Sequence, residues 1–98
     1  MIDITDIKKG INKMIDHGFK PRYLYINQMN YTMIKGKITE STAPEVWIKT
    51  IPEGWIETMF ELEIIVTELL SDNHFVISQF KLEDEEISDQ EQMMEHRI

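Results

Sequence analysis

The sequence predicts a single α+β domain of two short helices packed on a small mixed or antiparallel sheet, followed by an acidic C-terminal tail. Three observations lead there. Ile4, Ile7, Ile11, Met14 and Ile15 recur at spacings of three and four, the stripe of an amphipathic helix. Tyr23-Leu24-Tyr25-Ile26 is apolar on both alternating faces, as a buried strand is. From Phe60 to Thr67, apolar Phe60, Leu62, Ile64 and Val66 alternate with Glu61, Glu63 and Thr67, which predicts one strand with a buried and a wet face.

In chain order, Asp3 is the expected N-cap of the first helix, with Asp6 near the positive end of its dipole. Gly10 weakens the helix interior, Gly18 supplies a left-handed C-terminal position, and Pro21 prevents continuation. Asn27 should cap a second helix containing Tyr31 and Ile34, with Gly36 as its stop. Lys37 to Pro44 reads as a polar loop, Val46 to Thr50 as a short strand, and Pro52-Glu53-Gly54 as a turn. Ser71-Asp72-Asn73 has the chemistry of a hairpin turn, with Phe75-Val76-Ile77 as the return strand.

The chain's 98 residues make one domain, and the 42% of apolar residues suit a globular fold. Residues 1–82 form the body and 83–98 the tail, expected to be disordered or a frayed helix. Charge marks the same boundary. The net −8 divides into −2 over residues 1–82, with eleven acids and nine bases, and −6 over residues 83–98, with seven acids and Arg97. Direct nucleic-acid binding through phosphates is therefore not expected. The basic concentration at Lys8, Lys9, Lys13, Lys20 and Arg22 reads as a solvated helix face. Without cysteine there are no disulfides and no thiolate metal sites, which suits a reducing compartment. No secretory signal is visible, and no apolar run approaches the roughly 18–20 residues that span a bilayer. The expectation is a soluble, intracellular chain with no membrane partner.

No motif announces catalysis. His17, His74 and His96 lack a second ligand at metal spacing, and Gly10, Gly18, Gly36 and Gly54 form no phosphate-binding loop. No catalytic residue, metal or cofactor is assigned. Asp72 and His74 share a predicted turn and are the one pair on which a small enzyme could be built, although a turn aspartate ordinarily bonds its own backbone. Glu57, Glu61 and Glu63 fall on one side of a continuous strand at period two, where they read either as its solvent face or as a carboxylate cluster. Trp47 and Trp55 bracket a proline-containing turn and suit either a core or an interface. Met93-Met94 beside the tail acids marks a docking segment.

With Pro21 at a bend, the apolar strand Leu24 to Ile26, Asn27 at its end and Tyr31 in the next helix, the run from Ile7 to Lys35 resembles a segment of the A-domain of tailed-bacteriophage major capsid proteins. Strands similar to that family's later pair would be Met59 to Thr67 and His74 to Phe80, so the resemblance covers about residues 4–80. The chain shows no extended arm, spine helix or extended loop of the kind by which coat subunits interlock. The resemblance therefore implies phage or prophage ancestry more than the tiling of a shell.

The expected function is that of a non-catalytic phage- or prophage-type protein working by protein–protein contact. It would be a capsid-related virion component or an assembly or host-interaction factor, located in the host cytoplasm or the virion. Coat proteins, host proteins and a second copy of the chain are the candidate partners. The candidate contact residues are Trp47, Trp55, Glu57, Glu61 and Glu63, with Glu83, Asp84, Glu85 and Glu86 of the tail. The alternatives are an acidic DNA mimic that blocks a host nucleic-acid-binding enzyme, and a small enzyme using Asp72 and His74.

Overall fold

The computed structural model describes residues 2–38, 49–51, 54 and 56–95. The element order is α1 (Ile4–Asp16), β1 (Tyr23–Ile26), α2 (Gln28–Ile38), β2 (Lys49–Ile51), β3 (Ile56–Met59), β4 (Leu62–Val66), β5 (Val76–Ser78) and α3 (Asp84–Glu95). The described strands form one mixed sheet in the order β2-β3-β4-β1-β5. β1 pairs parallel with β4 and antiparallel with β5, while β2–β3 and β3–β4 are antiparallel. The α+β class with a mixed sheet is as the sequence predicts.

Local chemistry sets the helix ends. The Asp3 carboxylate accepts from the Ile4 amide at 2.7 Å, and Asp6 reaches back to the Asp3 amide at 3.0 Å, completing a capping box. At the other end Gly18 N–H donates to Ile15 O and Phe19 N–H to Met14 O, a Schellman closure that the positive φ of Gly18 (84°) permits. Asn27 caps α2 by accepting from the Asn30 amide at 2.9 Å. Gly36 does not stop that helix, which runs on to Ile38.

Period two assigns the two faces of the sheet. Leu24, Ile26, Met59 and Leu62 lie on the face that carries Ile7 of α1 and Tyr31 and Ile34 of α2, all buried. Gly10 explains the close seat of α1, since a Cβ there would meet Ile77 Cδ1 at 3.0 Å. Tyr25 lies on the opposite face with buried Leu70 and Ile87, and Tyr23, Ile65, Val76 and Leu82 pack around them. The sheet is thus a middle layer, with α1 and α2 on one side and α3 on the other.

Further expectations change. Residues 84–95, expected in a tail outside the folded unit, form α3, because Ile87 is 2% exposed against Tyr25 and Leu70 and anchors an otherwise polar helix. The single long strand through Phe60 is a hairpin. Met59 pairs with Leu62, and Phe60 and Glu61 turn the chain with φ of 53° and 66°, both positive as a two-residue type I′ turn requires. β5 does not return along β4. It crosses to the far side of β1, with Leu24 opposite Ile77. Ile15, placed in the buried stripe by its spacing, is 55% exposed in the last turn of α1. Of the polar loop expected over Lys37 to Pro44, Lys37 and Ile38 belong to α2 instead; its remainder and most of the strand expected at Val46 to Thr50 lie outside the described residues, apart from β2 at Lys49–Ile51.

Candidate interaction surface

The segment joining α1 to β1 is exposed yet firmly held. Phe19 leaves the Schellman closure 56% exposed. The Lys20 amide then donates to Gln79 Oε1 at 3.0 Å. The Arg22 amide donates to Ser78 O at 3.0 Å, and the Arg22 carbonyl accepts from the Glu63 amide at 2.9 Å. The backbone carrying Phe19, Lys20 and Arg22 is therefore tied to β4 and β5, while the side chains carry no ion pair among the described residues. Beside them Ser78 Oγ donates to Phe80 O at 2.6 Å and accepts from Phe80 N–H at 3.1 Å. That local turn presents Phe80, 70% exposed.

Around this segment the surface is concave. An open groove of about 710 Å³ runs between Ile11, Ile15 and Phe19 on one wall and Phe60 and Leu62 on the other, with Lys20, Arg22, Glu61 and Glu63 at its charged positions. A smaller hollow of about 380 Å³ adjoins it across Lys20, Arg22 and Tyr23 and is completed by Gln79, Phe80 and Lys81. The positive-φ pair Phe60–Glu61 forms part of the groove wall. Side chains other than Gly, Asn and Asp rarely occupy that backbone region, and such positions concentrate at functional surfaces.

The structure scatters the predicted site residues instead of gathering them. Glu57 accepts a short hydrogen bond from Tyr31 Oη and lies 3.9 Å from Lys35 Nζ, on the α1–α2 face. Glu63 sits opposite Thr58 and beside Tyr23 on the other face. The two-residue turn reverses the parity of the strand, so Glu57 and Glu63 point away from each other and Glu61 occupies the turn itself. Glu83 donates its amide to Glu86 Oε1 at 3.1 Å, and Asp84, Glu85 and Glu86 fill the first turn of α3, where the helix dipole favours carboxylates. Trp47 and Trp55 lie outside the described residues.

Asp72 and His74 go to different partners. Asp72 accepts from Asn27 Nδ2 at 2.6 Å, and its carbonyl accepts from Asn30 Nδ2 at 2.9 Å. His74 Nδ1 lies 2.8 Å from Glu91 Oε2 and 2.9 Å from Ser71 Oγ, while the Ser71 amide donates to Glu91 Oε1 at 3.2 Å. A serine activated by histidine needs hydroxyl and carboxylate on different ring nitrogens. Here both meet Nδ1, so the cluster clamps the loop after β4 to α3. Among the described residues no three His, Asp or Glu side chains are grouped to hold a metal ion, and no helix is long and apolar enough to cross a membrane.

Burial perturbs two tyrosines. Tyr31 is pushed up to about 12, first by desolvation and then by its bond and charge interaction with Glu57. Tyr25 is also raised, chiefly by burial, against the opposing effect of its bond from the Leu82 amide at 2.6 Å.

Sequence reasoning noticed Lys20 and Arg22 but missed Phe19, Phe80 and Lys81 as their companions. Only the fold brings residues 19–22 beside 79–81. The available signal was the recurrence of an aromatic next to a lysine, Phe19-Lys20 and Phe80-Lys81, outside any apolar periodicity. Comparison of the chain with protein-family models, with curated proteins and with solved structures finds no match, so the geometry of this surface stands on its own.

Proposed function

We propose that the chain is a non-catalytic phage- or prophage-type protein that works by protein–protein contact, as a capsid-related virion component or an assembly or host-interaction factor in the host cytoplasm or virion. One observation carries the contact reading. Phe19 and Phe80 stand 56% and 70% exposed beside Lys20, Arg22 and Lys81, on backbone fixed by hydrogen bonds to the sheet. Exposed aromatics on a preorganised backbone lose little freedom on binding and supply the anchors that dominate interfaces. The phage attribution rests on the likeness of Ile7 to Lys35 to a coat-protein segment.

The acidic DNA-mimic reading draws on a different surface, the exposed carboxylates Glu85, Glu86 and Asp89 of α3. Affinity capture with the full-length chain separates the two. Recovery of a coat, virion or host protein by the wild type, lost with Phe19→Ser/Phe80→Ser, supports the contact reading. Capture of a nucleic-acid-binding enzyme that survives those changes and disappears at high salt replaces it with the mimic.

A further inference from the structure

The contact reading leaves the partner open, and the charge pattern of the chain names one. The hollow of about 380 Å³ is lined by Lys20, Arg22, Tyr23, Gln79, Phe80 and Lys81, with cations and rings but no carboxylate in its wall. Among the described residues none of its three cations is in an ion pair. A protein of net charge −8 thus keeps unneutralised positive charge in one concave place.

The complement lies on α3. With Ile87 turned into the core, Glu85, Asp89, Gln92 and Met93 form the outward stripe, all exposed, at spacings of four, three and one. Met93 is 60% exposed. This stripe combines carboxylates with an apolar, polarizable thioether, and the hollow combines cations with the exposed Phe80 ring. Sulfur–aromatic contact and charge pairing would be satisfied together.

We propose that two copies of the chain pair about a two-fold axis, the outward stripe of α3 in each lying in the Lys20–Arg22–Lys81 hollow of the other. This rests on the protein-contact reading and specifies the partner. Lys81 precedes Glu85 by four residues, so the two patches adjoin on one chain. Adjoining complementary patches meet twice when a single two-fold axis relates the copies, and the contact closes as a dimer. A standard interface takes about 800 Å² from each partner, somewhat over a tenth of the chain's 6873 Å² accessible surface. Single-stranded nucleic acid would also use rings beside cations. The acidic balance of the chain and Glu61 and Glu63 in the adjoining groove oppose a phosphate backbone.

Sedimentation velocity and native mass measurement of the full-length chain test this from micromolar to hundreds of micromolar at low and high salt. The wild type is expected to form a dimer that weakens as salt rises. Lys20→Glu/Lys81→Glu and Asp89→Lys/Gln92→Lys each place like charges in contact and should weaken pairing at least about tenfold. The second variant spares the first turn of α3, and far-UV circular dichroism of each confirms the fold. Mixing the two variants should restore a one-to-one heterodimer, an outcome that loss of folding cannot imitate. A wild type that stays monomeric at low salt, a dimer indifferent to both variants, or a mixture that fails to pair would each overturn the proposal. So would a monomer that binds oligo-dT and loses that binding in Lys20→Glu/Lys81→Glu. Capture of another protein by a monomeric wild type would overturn self-pairing alone and leave the protein-contact reading standing.

Discussion

His74 Nδ1 and Glu91 Oε2, seventeen residues apart in sequence, lie 2.8 Å from each other, with both side chains mostly buried. Together with Ile87 in the apolar layer, this contact makes α3 part of the folded unit. Ile87→Ala removes the buried anchor and should cost about 2–5 kcal/mol. A chain ending at Leu82 loses the anchor and the clamp together, and its melting midpoint should fall by at least about 10 °C for a domain of this size. Urea and thermal unfolding followed by circular dichroism check both. A truncated chain that melts within a few degrees of full length would show that α3 adds nothing.

The turn at Phe60–Glu61 makes the opposite prediction. Glu61 occupies a φ of 66° with an exposed side chain. Glu61→Gly relieves that backbone without removing a contact to the core, and glycine at the second turn position suits a type I′ hairpin. Stability should rise by about 1 kcal/mol, read as a higher urea midpoint at unchanged slope. A lower midpoint would mean that the chain does not turn there in solution.

Alkaline pH probes the tyrosines. The proton on Tyr31 is held more tightly in the folded state, with its value raised from 10.0 to about 12 by burial and Glu57. The resulting stabilisation is complete below pH 10 and is lost as pH rises towards 12. Tyr25, also raised, contributes in the same direction above its ordinary value. Unfolding free energies measured from pH 8 to 12 should be level at first and then fall. Tyr31→Phe should flatten part of that fall and cost about 1 kcal/mol at neutral pH, because Glu57 loses its donor.

Asn27 joins two elements by opposite ends of one amide: Oδ1 accepts from the Asn30 amide and Nδ2 donates to Asp72. Asn27→Ala should cost about 1–2 kcal/mol through loss of the cap. Asn27→Ser keeps a capping oxygen and gives up only the Asp72 bond, so its urea midpoint should fall between those of the wild type and the alanine variant. Equal losses in the two variants would assign the whole effect to Asp72.

The pattern of what was legible follows from the range of each interaction. Asp3, Gly18 and Asn27 act on amides within a few residues, so residue type and spacing revealed their roles in advance. The hairpin at Phe60–Glu61 was hidden because it lacks the glycine or asparagine that usually marks such a turn, and apolar alternation continues straight through it. Ser71 to His74 does turn, with the His74 amide donating to Ser71 O. The strand that follows pairs with β1, a choice that local sequence does not encode. α3 was missed because a single buried isoleucine anchors it among acids. The contact surface was missed because residues 19–22 and 79–81 meet only through the sheet.

The parallel pairing of β1 with β4 also sets an order of events during synthesis. Tyr23 lines up with Glu63, forty residues later in the chain. At about 5–20 residues per second, a ribosome needs about 2–8 s to supply that stretch. Throughout that interval Leu24, Tyr25 and Ile26 have emerged without their central neighbour, and β5 and α3 follow later still. The most deeply buried of the described strands is therefore the one that waits, open to chaperones or to other chains until Leu62 to Val66 emerge.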